Sequence, residues 1–248
     1  MPPIQTTTTR RNVPYTGRAK PFAWSYSKLK NYEVCPKRHY HIDIAKDVKE
    51  EESEQLAYGN LLHKALAEAI THVTSEGKKG APLPKTQRHM QLWVDKVTEA
   101  RHGNASTILV EQQLAITKAY GPTEWFGDDV WYRGIADVIK IMGPVALVLD
   151  WKTGKILEDG VQLALMAQCV FAHHPGIQKI RTEFIWLKEE AVTRADFTRA
   201  DMVDVWNGVL PRVAMLENAA KTTNYPATPN HLCNRWCPVT QCPHSGRG

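Results

Sequence analysis

Three consecutive strand-like runs in the middle of the chain constrain its fold more than any other feature. They span residues 108–116, 131–141 and 145–154, are rich in β-branched and aliphatic residues, and are bounded by Gly, Pro or Asp. A turn at Gly143 and Pro144 joins the second run to the third and is short enough for a β-hairpin. The middle of the protein is therefore expected to be a β-sheet.

Helical periodicity occurs on both sides of this predicted sheet. Residues 56–73 carry an apolar stripe at helical spacing, formed by Leu62, Leu66, Ala69, Ile70 and Val73. Further helices are expected at about 86–101, 159–173 and 200–220, and further strands at 179–188 and 192–197. Helices flanking a central sheet predict the α/β or α+β class in one domain over residues 23–248.

The first part of the chain is basic. The 248-residue chain has a formal net charge of +5, and its first 32 residues contain six Lys or Arg and no acid, so the rest nets −1. Residues 1–22 have the Thr, Pro and Arg content of a mobile tail. Such an arm attracts a polyanion or keeps a tail soluble. An opening helix follows over 25–46, with Ser25 or Ser27 as its N-cap and with Leu29, Tyr32 and Cys35 on one face.

Composition excludes several classes of protein. A hydrophobic content of 43% with 23% charged residues is typical of soluble globular proteins. No run approaches the eighteen apolar residues of a membrane span, and the N-terminus lacks a secretory signal, so a cytoplasmic location is expected. In that compartment the five cysteines are expected to be ligands or core thiols before disulfides.

Two acids and a lysine in the predicted hairpin suggest chemistry. A two-residue loop at Gly143–Pro144 would place Asp137 opposite Asp150, with Cβ atoms about 4.5–5.5 Å apart. Facing carboxylates repel unless a cation lies between them, and oxygen ligands suit Mg²⁺ or Mn²⁺. Lys152 shares a strand face with Asp150. This trio is suited to phosphodiester hydrolysis by metal-activated water.

These segments resemble the PD-(D/E)XK nuclease superfamily, in the branch of RecB-type and CRISPR-adaptation exonucleases. The matching pieces lie in family order over about residues 25–242. The resemblance implies a restriction-endonuclease-like α/β core with a central mixed sheet. It covers the segments SYSKLKNYEVCPKRHY, GNLLHKAL, ILVEQQL, GIAD, DWKTGK and VQLALMAQ. In the last of these, Met166 stands where the family has a tyrosine.

The resemblance assigns roles residue by residue. It implies His63, Asp137 and Asp150 as metal ligands, with the Trp151 carbonyl, and Lys152 as the residue that serves the attacking water. It adds Glu111 and Gln162 to the catalytic group. Lys37 and Arg38 are candidate DNA contacts, and Trp24, Tyr26 and Tyr40 are candidates for stacking on unpaired bases.

The C-terminal segment contains a tight cysteine cluster. Cys233, Cys237 and Cys242 lie in a Pro-rich segment, the context expected of thiolate ligands. The resemblance implies that they join Cys35 in a four-cysteine [4Fe–4S] set that closes the fold. The alternative is zinc held by the same three late cysteines and His244. Cys169 is expected to be a buried thiol.

The predicted function is a metal-dependent DNA exonuclease acting on ends or single strands, in recombination, repair or phage DNA processing. The alternatives are a catalytically silent nucleic-acid-binding module and a metal-stabilised subunit for a protein partner. No phosphate-binding loop of the G-x-x-x-x-G-K-[ST] type occurs, so any unwinding would need a separate helicase.

Overall fold

The computed structural model describes residues 22–51, 53–76, 83, 85–99, 106–157 and 159–246. The predicted basic tail over 1–22 lies outside these residues, except for Phe22. Among the described helices, none is both long and apolar enough to cross a membrane.

A six-stranded mixed sheet forms the centre of the domain, with strand order β2-β1-β3-β4-β5-β6. Neighbouring strands are antiparallel except β4 and β5, which are parallel. The bounds of the strands are β1 Thr107–Thr117, β2 Pro122–Thr123, β3 Val130–Met142, β4 Val145–Lys152, β5 Lys179–Trp186 and β6 Ala191–Thr198. The α/β class and the mixed sheet flanked by helices are confirmed.

The β3–β4 hairpin has the predicted register. Met142 pairs with Val145 across the Gly143–Pro144 turn, and the same register continues to Val138 and Leu149. Gly143 has a φ of 61°, a left-handed conformation that glycine adopts without a Cβ penalty. The turn therefore sets which residues of the two strands face each other.

Helices cover both faces of this sheet. On one face, α3 and α4 pack their apolar residues against Val138, Leu149 and Trp151. On the other face, α1, α5 and α6 pack against Ile139 and Val148. The helix bounds are α1 Tyr26–Val34, α2 Pro36–His39, α3 Glu54–Glu76, α4 Gln91–Thr98, α5 Gly160–His173 and α6 Met202–Thr222, with a π-helix at Tyr40–Ala45 and a 3₁₀ helix at Lys85–Met90.

The opening helix is shorter than the sequence pattern predicts. Ser25 is its N-cap, as expected, and accepts a hydrogen bond from the Lys28 N–H. The helix ends at Val34, because Cys35 precedes Pro36, and a residue before proline avoids the helical conformation. Cys35 is extended, with φ −166° and ψ 112°, so it does not lie on a helical face with Leu29 as predicted.

Candidate active site

Asp137 and Asp150 lie next to each other at the point where the β3–β4 ladder stops. The last backbone pair is Val138 with Leu149, so the next two positions in this register are Asp137 and Asp150. Asp137 Oδ2 accepts a 2.6 Å hydrogen bond from the Trp151 N–H. Each of the two aspartates is only 5% exposed. The two acids that the sequence places opposite each other are thus brought together in a buried position.

Glu111 extends this arrangement to a third strand. The pairs on either side of it in the β1–β3 ladder leave Glu111 opposite Asp137. Its backbone has a φ of 51°, which costs a residue other than glycine on the order of 1–3 kcal/mol. The register therefore aligns Glu111, Asp137 and Asp150 across β1, β3 and β4, and we call these three residues the carboxylate row.

His63 of α3 approaches the carboxylate row from outside the sheet. Its Nδ1 lies 3.2 Å from Asp137 Oδ1. One ligand atom from each of His63, Glu111 and Asp137 lies within 4.8 Å of the other two, and no other group of His, Cys, Asp and Glu in the described part of the chain is this compact. The sequence predicted His63, Asp137 and Asp150 as the metal ligands and Glu111 as an additional residue. The compact group in the structure contains Glu111 in place of Asp150.

Gly59 lets α3 approach the end of β4 closely. A Cβ atom at this position would lie 3.0 Å from Thr153 Oγ1. Gly59 is one helical turn before His63, so the absence of a side chain at Gly59 lets this part of α3 lie against Thr153. The glycine thus accommodates a side chain beside the site.

A second group of side chains lies at the end of β4 and consists of Asp150, Lys152 and Gln162. Lys152 Nζ lies 2.5 Å from Asp150 Oδ2 and donates to Gln162 Oε1 over 3.2 Å. Gln162 Nε2 donates to Asp150 Oδ1 over 3.3 Å. The Lys152 ammonium therefore pairs with Asp150 Oδ2 and is held on its other side by Gln162.

Burial and mutual repulsion shift the pKa values of the site. Burial raises the pKa of Asp150 to about 6, although the charge of Lys152 opposes the rise. Burial and the charge of Asp137 raise the pKa of Glu111. Burial by itself lowers the pKa of His63, but the hydrogen bond to Asp137 and the surrounding carboxylates raise it overall. The site therefore carries excess negative charge, which a cation would neutralise.

The donor set fits a hard divalent cation. Carboxylate oxygens with one imidazole suit Mg²⁺ or Mn²⁺, and His63, Glu111 and Asp137 supply such a set. The Trp151 N–H points towards Asp137, and the N–H and C=O of one strand residue point to the same side. The Trp151 carbonyl is therefore directed towards the carboxylate row, in agreement with its predicted part in the ligand set.

The carboxylate row opens into a groove between α3 and the sheet, which we call the carboxylate groove. Asn60, Lys64 and Glu68 of α3 line it with Ile135 and Thr153. Sequence analysis did not identify these residues. Asn60 precedes His63 by three positions and Lys64 follows it, so helical periodicity around a candidate ligand would have found this face of α3.

The predicted DNA contacts Lys37 and Arg38 lie elsewhere, beside the cysteines. The Arg38 guanidinium donates to Asn31 Oδ1 and is paired with Glu50. These two cations do not line the carboxylate groove. Their contact with DNA stays a prediction.

The three late cysteines and Cys35 line one cavity, together with His244. The four cysteines form no disulfide bond with one another. The Thr228 N–H donates to Cys35 Sγ and the Asn230 N–H to Cys233 Sγ, each over 3.4 Å. Backbone N–H donors are a common feature around metal-bound thiolates, because they stabilise the sulfur charge. The C-terminal segment is thus packed against the end of α1.

The spacing of the sulfur atoms bears on which metal fits. A tetrahedral zinc ion with Zn–S bonds of about 2.3 Å would hold its sulfurs about 3.8 Å apart. No three of these ligand atoms, His244 included, lie within 4.8 Å of one another in the described structure. The described structure therefore gathers the four cysteines at one cavity without forming a compact set of three ligand atoms there.

A family model for the PD-(D/E)XK nuclease superfamily matches residues 23–243. The chain belongs to this superfamily, and its resemblance to these nucleases is confirmed. No curated protein matches the chain. Its membership supports a nuclease activity and a nucleic acid substrate.

A solved structure shows the same fold as this chain. It is the "Putative exonuclease" from Eubacterium rectale, which is 12% identical, with a TM-score of 0.51 and with 93% of each chain covered. Another, SSO0001, is 14% identical over 92% of this chain and 89% of that chain, and its TM-score of 0.34 is too low to indicate a shared fold.

Proposed function

We propose that this protein is a divalent-metal-dependent deoxyribonuclease that acts as an exonuclease. The observation that carries the proposal is the carboxylate row on three adjacent strands, with Lys152 beside it. Gathering three like charges, of which Asp137 and Asp150 are buried, opposes folding. Sheet packing does not require three acids here, whereas binding of a cation explains them.

His63, Glu111 and Asp137 would hold Mg²⁺ or Mn²⁺, with Asp150 and the Trp151 carbonyl as further ligands. When bound, such an ion polarises the scissile phosphate and lowers the pKa of water. Asp137 orients the His63 ring through the contact between Oδ1 and Nδ1.

Lys152 places a positive charge at the end of β4, where the substrate phosphate would lie. Its ammonium donates hydrogen bonds to a phosphate oxygen or to the attacking water, which stabilises the charge of the transition state. Gln162 is a positioning residue, because it accepts from Lys152 and donates to Asp150. In-line attack of water on phosphorus would break the P–O3′ bond and leave a 5′-phosphate and a 3′-hydroxyl.

We further propose that Cys35, Cys233, Cys237 and Cys242 bind a [4Fe–4S] cluster whose role is structural. The support is that all four line one cavity. The alternative remains zinc on Cys233, Cys237, Cys242 and His244. Either metal would clamp the C-terminal segment to the opening helix.

The proposed substrates are DNA ends or single strands in the cytoplasm of a bacterial or phage-infected cell. A separate helicase or recombination protein would supply unwound DNA, because the sequence contains no phosphate-binding loop. Recombination, repair and phage DNA processing all require such an activity.

The test is a cleavage assay on end-labelled single-stranded DNA, duplex DNA and RNA with Mg²⁺, Mn²⁺ or EDTA. We expect DNA to be degraded from an end only with metal, and Asp150→Asn and Lys152→Met to lower the rate at least about 10²-fold. Lys155→Met, an exposed lysine in the following loop, is the matched control. Binding without cleavage by the wild-type protein would instead support the silent DNA-binding module.

A further inference from the structure

A second groove begins at the catalytic lysine, and none of the described residues that line it is acidic. Lys152 and Ile135 line both this groove and the carboxylate groove, so the two are continuous. Ser25, Tyr26 and Ser27 at the start of α1 and Gln162 and Met166 of α5 form its walls. Its cations are Lys28, Arg133 and Lys152. We call it the basic groove.

Lys28 and Arg133 have no carboxylate partner within 4 Å among the described residues. Both side chains are half-buried. Burial lowers the pKa of Lys28, and the charge of Arg133 lowers it further against the opposing charge of Asp43. Asp43 is itself engaged by His39 and Asn31. Two partly desolvated cations that repel each other are stabilised by an anion placed between them.

An exposed aromatic side chain stands in a wider depression beside this groove. Phe126, in the turn between β2 and β3, is 85% exposed. The Arg133 guanidinium lies 5.6 Å from the Trp125 ring and 5.8 Å from the Phe126 ring, and its Nε donates to the Trp125 carbonyl over 2.7 Å. Lys28 and Arg133 line both the basic groove and this wider depression, whose lining also includes Asp43, Asp128 and Glu217. The Arg133 side chain thus lies between the basic groove and the exposed ring of Phe126.

We propose that the basic groove binds the single-stranded part of the DNA substrate, with phosphates on Lys28 and Arg133 and an unpaired base on Phe126. The proposal rests on the proposed nuclease function. Cations in a groove bind the phosphate backbone, and an aromatic face stacks on any unpaired base. A duplex keeps its bases stacked on each other, so a ring such as Phe126 selects a single strand. Two of the three candidates from sequence are less suited, because Trp24 is 1% exposed and the Tyr26 hydroxyl is bound to Asp159. The third, Tyr40, is 36% exposed and lines the same wider depression as Phe126.

The test measures binding of fluorescein-labelled oligo(dT) and a hairpin duplex by anisotropy in EDTA, where no cleavage occurs. The variants are Lys28→Gln and Phe126→Ala. The control is Lys179→Gln, which removes an exposed lysine that pairs with Asp196 on β6, at the end of the sheet away from the carboxylate row. Thermal unfolding of each variant verifies its fold, and Phe126 is too exposed for its loss to open the core.

We expect Phe126→Ala to weaken single-strand binding about tenfold and duplex binding little, because one stacked base is lost. Lys28→Gln should weaken single-strand binding about threefold to tenfold. It should also reduce the slope of log affinity against log salt by about 0.7. The control should bind as the wild type does. If the wild type cleaves DNA in Mn²⁺ but both variants bind unchanged, the groove assignment is wrong and the nuclease proposal stands. If the wild type neither binds nor cleaves DNA, both proposals fail.

Discussion

Asp137 Oδ2 accepts a 2.6 Å hydrogen bond from the Trp151 N–H at the position where backbone pairing between β3 and β4 ends. One carboxylate oxygen thus takes the place of a ladder carbonyl, while the other contacts His63. The same side chain is a structural acceptor and a candidate metal ligand. These two roles are separable by substitution.

We predict that Asp137→Ala lowers the free energy of unfolding by about 1–3 kcal/mol, because the buried Trp151 N–H loses its acceptor. Asp137→Asn keeps an oxygen for this bond and should unfold close to the wild type in urea. Both substitutions should abolish cleavage. Equal stability of Asp137→Ala and the wild type would show that the hydrogen bond does not support the hairpin.

The second prediction concerns pH and the stability of the metal-free protein. Burial raises the pKa of Asp150 to about 6 in the folded state, above its ordinary value of 3.8. The folded state therefore binds the proton more tightly, so this group stabilises the fold at low pH, and that contribution is lost as pH rises from about 4 to above 6.

Asp150→Asn lacks this titration. The difference in unfolding free energy between wild type and Asp150→Asn should therefore change by on the order of 1–3 kcal/mol over that interval, to the disadvantage of the wild type at high pH. Thermal or urea unfolding in EDTA measures it. A difference independent of pH would contradict the proposed desolvation of Asp150.

Two helical glycines offer a matched comparison. Gly208 of α6 has open space where a Cβ would lie, so Gly208→Ala should stabilise the protein by about 0.5–1 kcal/mol. At Gly59 the Cβ would meet Thr153 Oγ1 at 3.0 Å. Gly59→Ala should therefore not gain stability, because the new methyl group pushes against Thr153. It should also slow cleavage, because a shift of Thr153 displaces the adjacent Lys152. Denaturant unfolding and the cleavage rate check both effects, and faster cleavage by Gly59→Ala would refute the close-contact role.

Anaerobic purification tests the cysteine cavity. We expect a brown protein with four iron atoms per chain, and loss of colour and of several kcal/mol of stability on Cys35→Ser or Cys237→Ser. Cys169→Ala, at a buried thiol of α5, should retain the iron. Colourless protein with one zinc ion, sensitive to His244→Ala and not to Cys35→Ser, would establish the zinc alternative.

The sequence predicted the hairpin register because Gly143 and Pro144 leave room for one short turn, and the register then placed Asp137 beside Asp150. It could not predict the left-handed backbone of Glu111, since an ordinary strand pattern surrounds this residue. The side chains of β1 change from one face of the sheet to the other near Glu111. Val110 packs with α3, whereas Leu114, four residues later, packs with the cluster on the opposite face. Regular strands keep residues an even number apart on one face.

Other differences have local causes. The predicted helix at 86–101 begins as a 3₁₀ helix and becomes α-helical only at Gln91. Lys28 and Arg133 have no sequence signal that separates them from other surface cations. They share a groove only because α1 packs beside β3, where Trp24 forms an isolated bridge with Tyr132. Whether two distant residues share a groove depends on tertiary packing, which local patterns in a single sequence do not predict.

Calorimetric titration with Mn²⁺ tests the central claim most directly, because it measures the ion that the carboxylate row is proposed to hold. We predict saturable binding by the wild type, affinity about 10–100-fold weaker in Glu111→Gln and His63→Gln, and unchanged affinity in Glu183→Gln, a half-buried carboxylate on β5 of the same sheet. Equal Mn²⁺ affinity in the wild type, Glu111→Gln and His63→Gln would contradict the account.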